Sequence, residues 1–207
     1  MPRHFFITGT DTGVGKTHIT GLLARQLLAG GHRIVTQKWV QTGAFVPADI
    51  LEHDRLAGLC LDASWMPLRC PYLFQNALSP HLAASLAGQT ISINRLKKDF
   101  EKLSDFFDTV LVEGAGGILV PLTPEVLLID VAIELGLEVI VVAPNRVGAI
   151  NHALLTIREL QRRKAAIAGI VWNAMDETVL SEVLKDNPES VCRIGGIRSI
   201  QIEQGNF

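Results

Sequence analysis

Apolar residues along the chain fall into two alternating rhythms. Short runs rich in β-branched or aromatic side chains recur at Phe5-Phe6-Ile7, Arg33 to Gln37, Asp108 to Val112, Glu138 to Ala143 and Ile167 to Trp172, and each predicts a strand. Longer segments with helical spacing lie between them: about Lys16 to Leu28, Ala48 to Leu59, Ser92 to Phe107 and Ala149 to Arg163. Gly30-Gly31 and Gly136 stand where helices should stop, and Ser79-Pro80 has the form of an N-cap and first-turn proline opening a short helix through Leu86. Strands alternating with helices imply right-handed crossovers and a mostly parallel sheet. The unbroken apolar run Val139-Ile140-Val141-Val142 fits a strand buried on both faces. The expected architecture is therefore α/β, three layers with a mostly parallel central sheet flanked by helices. Segments Gln41 to Ala48 and Ala63 to Asn76 read as irregular, suited to a lid or substrate loop. With no repeat, low-complexity stretch or linker, residues 1–207 read as one domain.

Composition narrows the function classes. A chain of 207 residues that is 48% hydrophobic and 19% charged has too much apolar material for intrinsic disorder. Nineteen Lys plus Arg against 21 Asp plus Glu, a net charge of −2, argues against a nucleic-acid partner held by bulk charge and against an acidic tail protein. No apolar run approaches the roughly 20 residues that cross a bilayer. The N-terminus lacks the long apolar stretch of a secretory signal, so a cytoplasmic protein without membrane partners is expected. Three cysteines (Cys60, Cys70 and Cys192) without a C-x-x-C pair suggest buried or partly buried free thiols in a reducing compartment.

Chemistry concentrates first at Gly9-Thr10-Asp11-Thr12-Gly13-Val14-Gly15-Lys16-Thr17, between the first strand and the first helix. Glycines let backbone N–H groups turn inward around a phosphate chain, and the helix opening at Gly15-Lys16 aims its positive end at the same anion. Lys16 then reaches the outer phosphates, and the Thr17 hydroxyl suits Mg²⁺. This is a P-loop one residue longer than the strict pattern, which would place Gly at Thr10. The fold expectation sharpens to P-loop NTPase-like.

A carboxylate, Glu113, follows the strand ending at Val112 and is trailed by Gly114-Ala115-Gly116-Gly117. In an open parallel sheet that edge binds ligands, so Glu113 suits a metal opposite the phosphate loop. Lys38 ends the second strand on the same edge, where a cation offsets charge on a transferring phosphoryl group or an anionic acceptor; a solvated lysine is the plain alternative. Asp54, in a helix, reads on its own as a surface acid. Asn173, at the end of the last strand, reads equally as a base-reading amide or a turn residue. The six histidines show no metal-protease spacing, and His81 and His152 read as structural hydrogen bonders.

Taken in order, Gly9 to Thr17, Lys38 with Thr42-Gly43, Asp54, Ser79-Pro80-His81-Leu82, Val112 to Gly117, Gly148-Ala149-Ile150-Asn151-His152-Ala153 and Asn173 resemble the dethiobiotin synthetase family over roughly residues 4 to 175. The longer phosphate loop is itself a trait of that family. The resemblance implies a homodimeric, Mg²⁺-dependent cyclo-ligase that converts 7,8-diaminononanoate, CO₂ and ATP to dethiobiotin, ADP and phosphate. The route implied runs through a carbamate and a carbamic–phosphoric anhydride.

By the same resemblance, Lys16 and Lys38 are catalytic. Gly13, Val14, Gly15, Lys16, Thr17, His18, Asp54, Glu113, Gly114, Ala115, Gly116 and Asn173 meet ATP, and Thr17, Asp54 and Glu113 form the metal site. Thr12 and Thr42 face the substrate, and Gly148, Ala149, Ile150 and Asn151 hold its distal carboxylate from the partner subunit. Trp39 and Ala77 stand where the family usually has proline, and Gly195-Gly196-Ile197-Arg198 replaces its Gly-x-Ile-Pro. Two alternatives stay open. One is a switch ATPase resembling the partition and septum-site proteins, although Asp11 stands where those carry a signature lysine. The other is a silent module that has kept only the fold.

Overall fold

The computed structural model describes residues 3–174 and 178–202; Met1, Pro2 and residues 203–207, which entered the reading of the two termini, lie outside them. The strand-forming runs become β1 (Phe5–Gly9), β2 (Ile34–Lys38), β5 (Thr109–Glu113), β6 (Glu138–Pro144) and β7 (Ile167–Asn173). They form one five-stranded sheet in the order β2-β5-β1-β6-β7, and every pairing is parallel. The order explains the burial. β1, the first strand of the chain, lies at the sheet centre, and its Phe6 and Ile7 are wholly buried.

Alternate strand residues feed opposite layers, as a period of two requires. Phe6, Val110, Val112, Val139 and Val141 enter one core with Leu96, Phe100 and Leu103 of α5 (Ile93–Phe106) and with Ile157 and Leu160 of α7 (Ala149–Arg162). Ile7, Leu111, Ile140 and Val142 enter the other, against Ile19, Leu23 and Ala24 of α1 (Lys16–Ala29). Helices thus cover both faces, giving the three layers of a P-loop NTPase-like α/β fold. Gly30 caps α1, and Pro80 opens α4 (Pro80–Leu86) behind Ser79.

The two segments read as irregular hold more structure than their composition suggests. β3 (Val40–Thr42) and β4 (Tyr72–Phe74) pair in parallel as a separate two-stranded sheet. Between them run α2 (Ala48–Ala57), a 3₁₀ turn (Ala63–Trp65) and α3 (Met66–Arg69). The chain passes from the main sheet to the small one at Trp39, which is fully buried, stacks on Phe6 at 5.4 Å and donates from Nε1 to Gln37 Oε1 at 3.0 Å. α6 (Leu128–Glu134) and α8 (Ser181–Gly195) complete the chain.

Two of the thiols, Cys70 and Cys192, are partly buried, whereas Cys60 is exposed, contrary to the expectation from composition. Burial pushes the Cys70 thiol up to about 11, which makes it a poor nucleophile. Among the described residues no helix is long and apolar enough to cross a membrane.

Candidate active site

At the carboxyl edge of the main sheet the chain turns from β1 into the phosphate loop. Gly13 and Gly15 take φ of +74° and +87°, a left-handed conformation that a side chain would strain. At Gly9 a Cβ would lie 2.6 Å from Asp11 O and 3.0 Å from Lys16 Nζ, so the loop closes only around a bare backbone. With its ring of amides made, the loop is braced from two sides. Thr10 N donates to Val142 O at 3.0 Å, and Asn173 Nδ2 donates to Val14 O at 3.0 Å. Asn173 thus commits one amide hydrogen to bracing the loop, a role that neither reading of the sequence named.

β2 and β5 pair in a register that sets Lys38 beside Glu113. Both side chains are almost sealed from solvent, and they meet as Lys38 Nζ to Glu113 Oε1 at 2.7 Å. Lys38 also donates to Gly114 O at 3.1 Å and pairs with Asp49 Oδ2 at 2.8 Å. Glu113 Oε1 accepts a further bond from Thr17 Oγ1 at 3.1 Å, while Oε2 accepts from His53 Nε2 at 2.6 Å. Phosphate loop, β2, β5 and α2 are thereby joined through one carboxylate.

Electrostatics follow from this packing. Burial works to raise the Glu113 carboxyl, but Lys38 and the His53 hydrogen bond outweigh it and hold the group at about 2. Burial likewise opposes the charged form of Lys38, yet the Glu113 and Asp49 carboxylates prevail and raise it. Lys16 has no such partner. Burial, with Lys38 repelling it, lowers its ammonium to about 8, and Nζ rests on Asp11 O at 3.1 Å.

Lys16, Thr17, Lys38, Asp49 and Glu113 line a cleft of about 800 Å³, to which Thr12, Gly13, Gly15, Thr42, Ala115 and Gly116 also contribute. Besides Asn173, four groups of predicted residues lie outside the lining of this cleft. Asp54 does not line the cleft: its oxygens accept from Arg69 Nη2 at 2.5 Å and Nη1 at 2.9 Å. Arg69 is 2% exposed and requires an anion, and Asp54 is the one that reaches it. Gly148 to Asn151 open α7 along the same sheet edge but outside this cleft, with Gly148 and Asn151 exposed. His18 lies in the first turn of α1 and is half-buried. Val14 and Gly114 are buried behind the loop walls, where a Cβ on Gly114 would strike Phe6 at 2.7 Å.

Two residues of the site escaped the reading of the sequence, Asp49 and His53. They stand four apart on α2 and so share a face. The signal was His53 itself, which occupies the stripe of Ile50, Leu56 and Ala57 that the helix buries. A polar residue in an apolar stripe needs a buried partner, and Glu113 supplies it.

A family model described as an AAA domain matches residues 3–202. The chain is 44% identical over 169 residues to the ATP-dependent dethiobiotin synthetase BioD of Chlorobaculum tepidum, covering 81% of this chain and 71% of that one. It is 41% identical over 194 residues to the BioD of Anaeromyxobacter sp. (strain Fw109-5), covering 94% and 86%.

The chain belongs to the dethiobiotin synthetase family. It is accordingly an ATP-dependent ligase of biotin synthesis. Among solved structures, a ParA family ATPase from Chlorobium tepidum TLS superimposes with a TM-score of 0.57 at 14% identity, covering 99% of this chain and 86% of that one. The septum site-determining protein MinD of Pyrococcus horikoshii OT3 gives 0.56 at 20%, covering 90% and 77%. At such identities these structures share the P-loop fold alone, whereas the dethiobiotin synthetases share the sequence.

Proposed function

We propose that this synthetase converts 7,8-diaminononanoate, CO₂ and ATP to dethiobiotin, ADP and phosphate, as a homodimer. The observation that carries the reading is the convergence of Lys16, from the start of α1, and Lys38, from the end of β2, on one cleft beside the phosphate loop. A substrate carbamate and a triphosphate are both anions, and holding them within reacting distance requires cations between them.

In this reading one amine takes up CO₂ as a carbamate. A carbamate oxygen attacks the γ-phosphorus, ADP leaves, and a carbamic–phosphoric anhydride forms. The second amine, once it has shed its ammonium proton, bonds to the carbonyl carbon and closes the ureido ring; its remaining surplus N–H proton goes to the phosphate, which departs with the C–O electron pair. Loop amides from Gly13 to Thr17 hold the β- and γ-phosphates, and Lys16 follows the charge of the transferring group. Lys38 gives up one of its three contacts to meet the carbamate. Thr12 and Thr42 offer hydroxyls along the substrate chain. Gly148 to Asn151 of the partner subunit present free helix N–H groups to its distal carboxylate, consistent with the exposure of Gly148 and Asn151 here.

The donor set fits magnesium: Thr17 Oγ1 and Glu113 Oε1 are hard oxygens 3.1 Å apart at the loop, and the low pKa of Glu113 keeps it anionic. When bound, the ion would neutralise charge across the phosphates. Thr17 and Glu113 would hold it, with Asp54 joining only by leaving Arg69.

The test is ATP turnover with each reactant omitted in turn. Phosphate release is expected only when diamine and bicarbonate are both present. Vigorous hydrolysis in the absence of either would instead indicate a switch ATPase.

A further inference from the structure

We propose that Asp49 recognises the ammonium of the substrate's second amine, making the cleft selective for vicinal diamines. The inference rests on the diamine reading above and assigns a residue that the resemblance does not carry. Asp49 sits in the first turn of α2, its backbone N–H fixed to Gln41 Oε1 at 3.2 Å. Its Oδ2 pairs with Lys38 Nζ at 2.8 Å. The side chain remains 23% exposed and faces the cleft.

Among the described residues two carboxylates line the cleft, and both oxygens of the other are held by protein groups. Glu113 is 1% exposed, with Oε1 shared by Lys38 and Thr17 and Oε2 taken by His53. Among the described residues, Asp49 Oδ1 makes no hydrogen bond to protein. Of the carboxylate oxygens that line the cleft among the described residues, it is the one without a protein partner.

The chemistry of the substrate asks for that place. In a vicinal diamine the first ammonium suppresses protonation of its neighbour by like-charge repulsion, so near neutral pH one nitrogen is charged and the other free. The free amine takes up CO₂. The ammonium, entering a cleft that already holds Lys16 and Lys38, is repelled unless an anion meets it. Asp49 meets it from beside Lys38, so ammonium and carbamate are received by adjacent groups, a spacing that matches nitrogens on adjacent carbons. An amino alcohol of the same chain forms the carbamate but offers Asp49 no cation.

The experiment compares wild type with Asp49→Asn, which keeps shape and an oxygen for Lys38 but loses the charge. Two quantities are read: KM for diamine and for ATP, and binding of the diamine against the amino alcohol by calorimetry with a non-hydrolysable ATP analogue. The charged contact predicts a rise in diamine KM of about tenfold or more, with ATP KM within about twofold, and near-equal binding of the two ligands by the variant. Asp49→Ser, checked for native circular dichroism, should behave alike and guards against a folding defect in the first variant. An unchanged diamine preference in the variants, or a parallel loss for diamine and ATP, overturns the role of Asp49. Absence of diamine-dependent turnover in wild type overturns the functional reading itself, a separate result.

Discussion

Lys16 enters the nucleotide-free site at a disadvantage, buried and facing Lys38, with its ammonium lowered to about 8. A triphosphate reverses that balance, because an adjacent anion favours the charged form. The sign follows directly: above pH 8 the free site has lost part of this proton, and the complex regains it. ATP binding at pH 8.5 should therefore take up a substantial fraction of a proton, read from calorimetry in buffers of different ionisation enthalpy. Lys16→Ala should abolish the uptake, and uptake undiminished in that variant would move the titration elsewhere. Lys16, Thr17, Lys38 and Glu113 were all legible in the sequence, since each sits where a strand ends or a helix begins and backbone geometry alone sets the address. Asp49 and His53 were not, because their meaning depends on how α2 is rotated against β5. Asp54 shows the reverse problem. The resemblance points it at a metal, while buried Arg69, fifteen positions along the chain, has drawn its carboxylate to itself.

Helix α2 owes its place to close contact with α1. A Cβ at Gly21 of α1 would lie 2.7 Å from both Cβ and Cδ1 of Leu56 on α2. Alanine in an exposed helix ordinarily gains over glycine, but here the methyl group must push the helices apart. Gly21→Ala should lower unfolding free energy by about 1–3 kcal/mol, measured in urea, and should weaken activity because α2 carries Asp49 and His53. A stabilised, fully active variant would show the contact to be slack. At this scale the five main strands and helices α1, α2, α4, α5 and α7 were legible from their apolar spacing and caps, whereas the short α3 and α6, of four and seven residues, were not. β3 and β4 were not: three residues each, beside proline and glycine, give no periodicity to read. α8 was hidden by polar residues in its buried stripe. Asn187 there donates to Asn145 Oδ1 at 2.9 Å and to Arg146 O at 3.0 Å, an interior role that composition disguises as a loop.

Across the molecule, the two layers of core and the order of strands bring distant segments to a single edge, and the phosphate loop is held there from β6 and β7 as well as from its own helix. The two formal positive charges of the cleft, Lys16 and Lys38, stand against the two formal negative charges of Asp49 and Glu113. Before any ligand arrives the site is close to electroneutral. It should exert little long-range pull on a nucleotide, whose capture would depend on contact rather than on steering. Association rates for Mg-ATP measured by stopped flow should vary only weakly with ionic strength, and a steep decline with salt would contradict this. The pairing of Lys38 with two acids thus gives the enzyme a cradle that stays quiet toward stray polyanions, and answers only to molecules able to trade partners with it one by one.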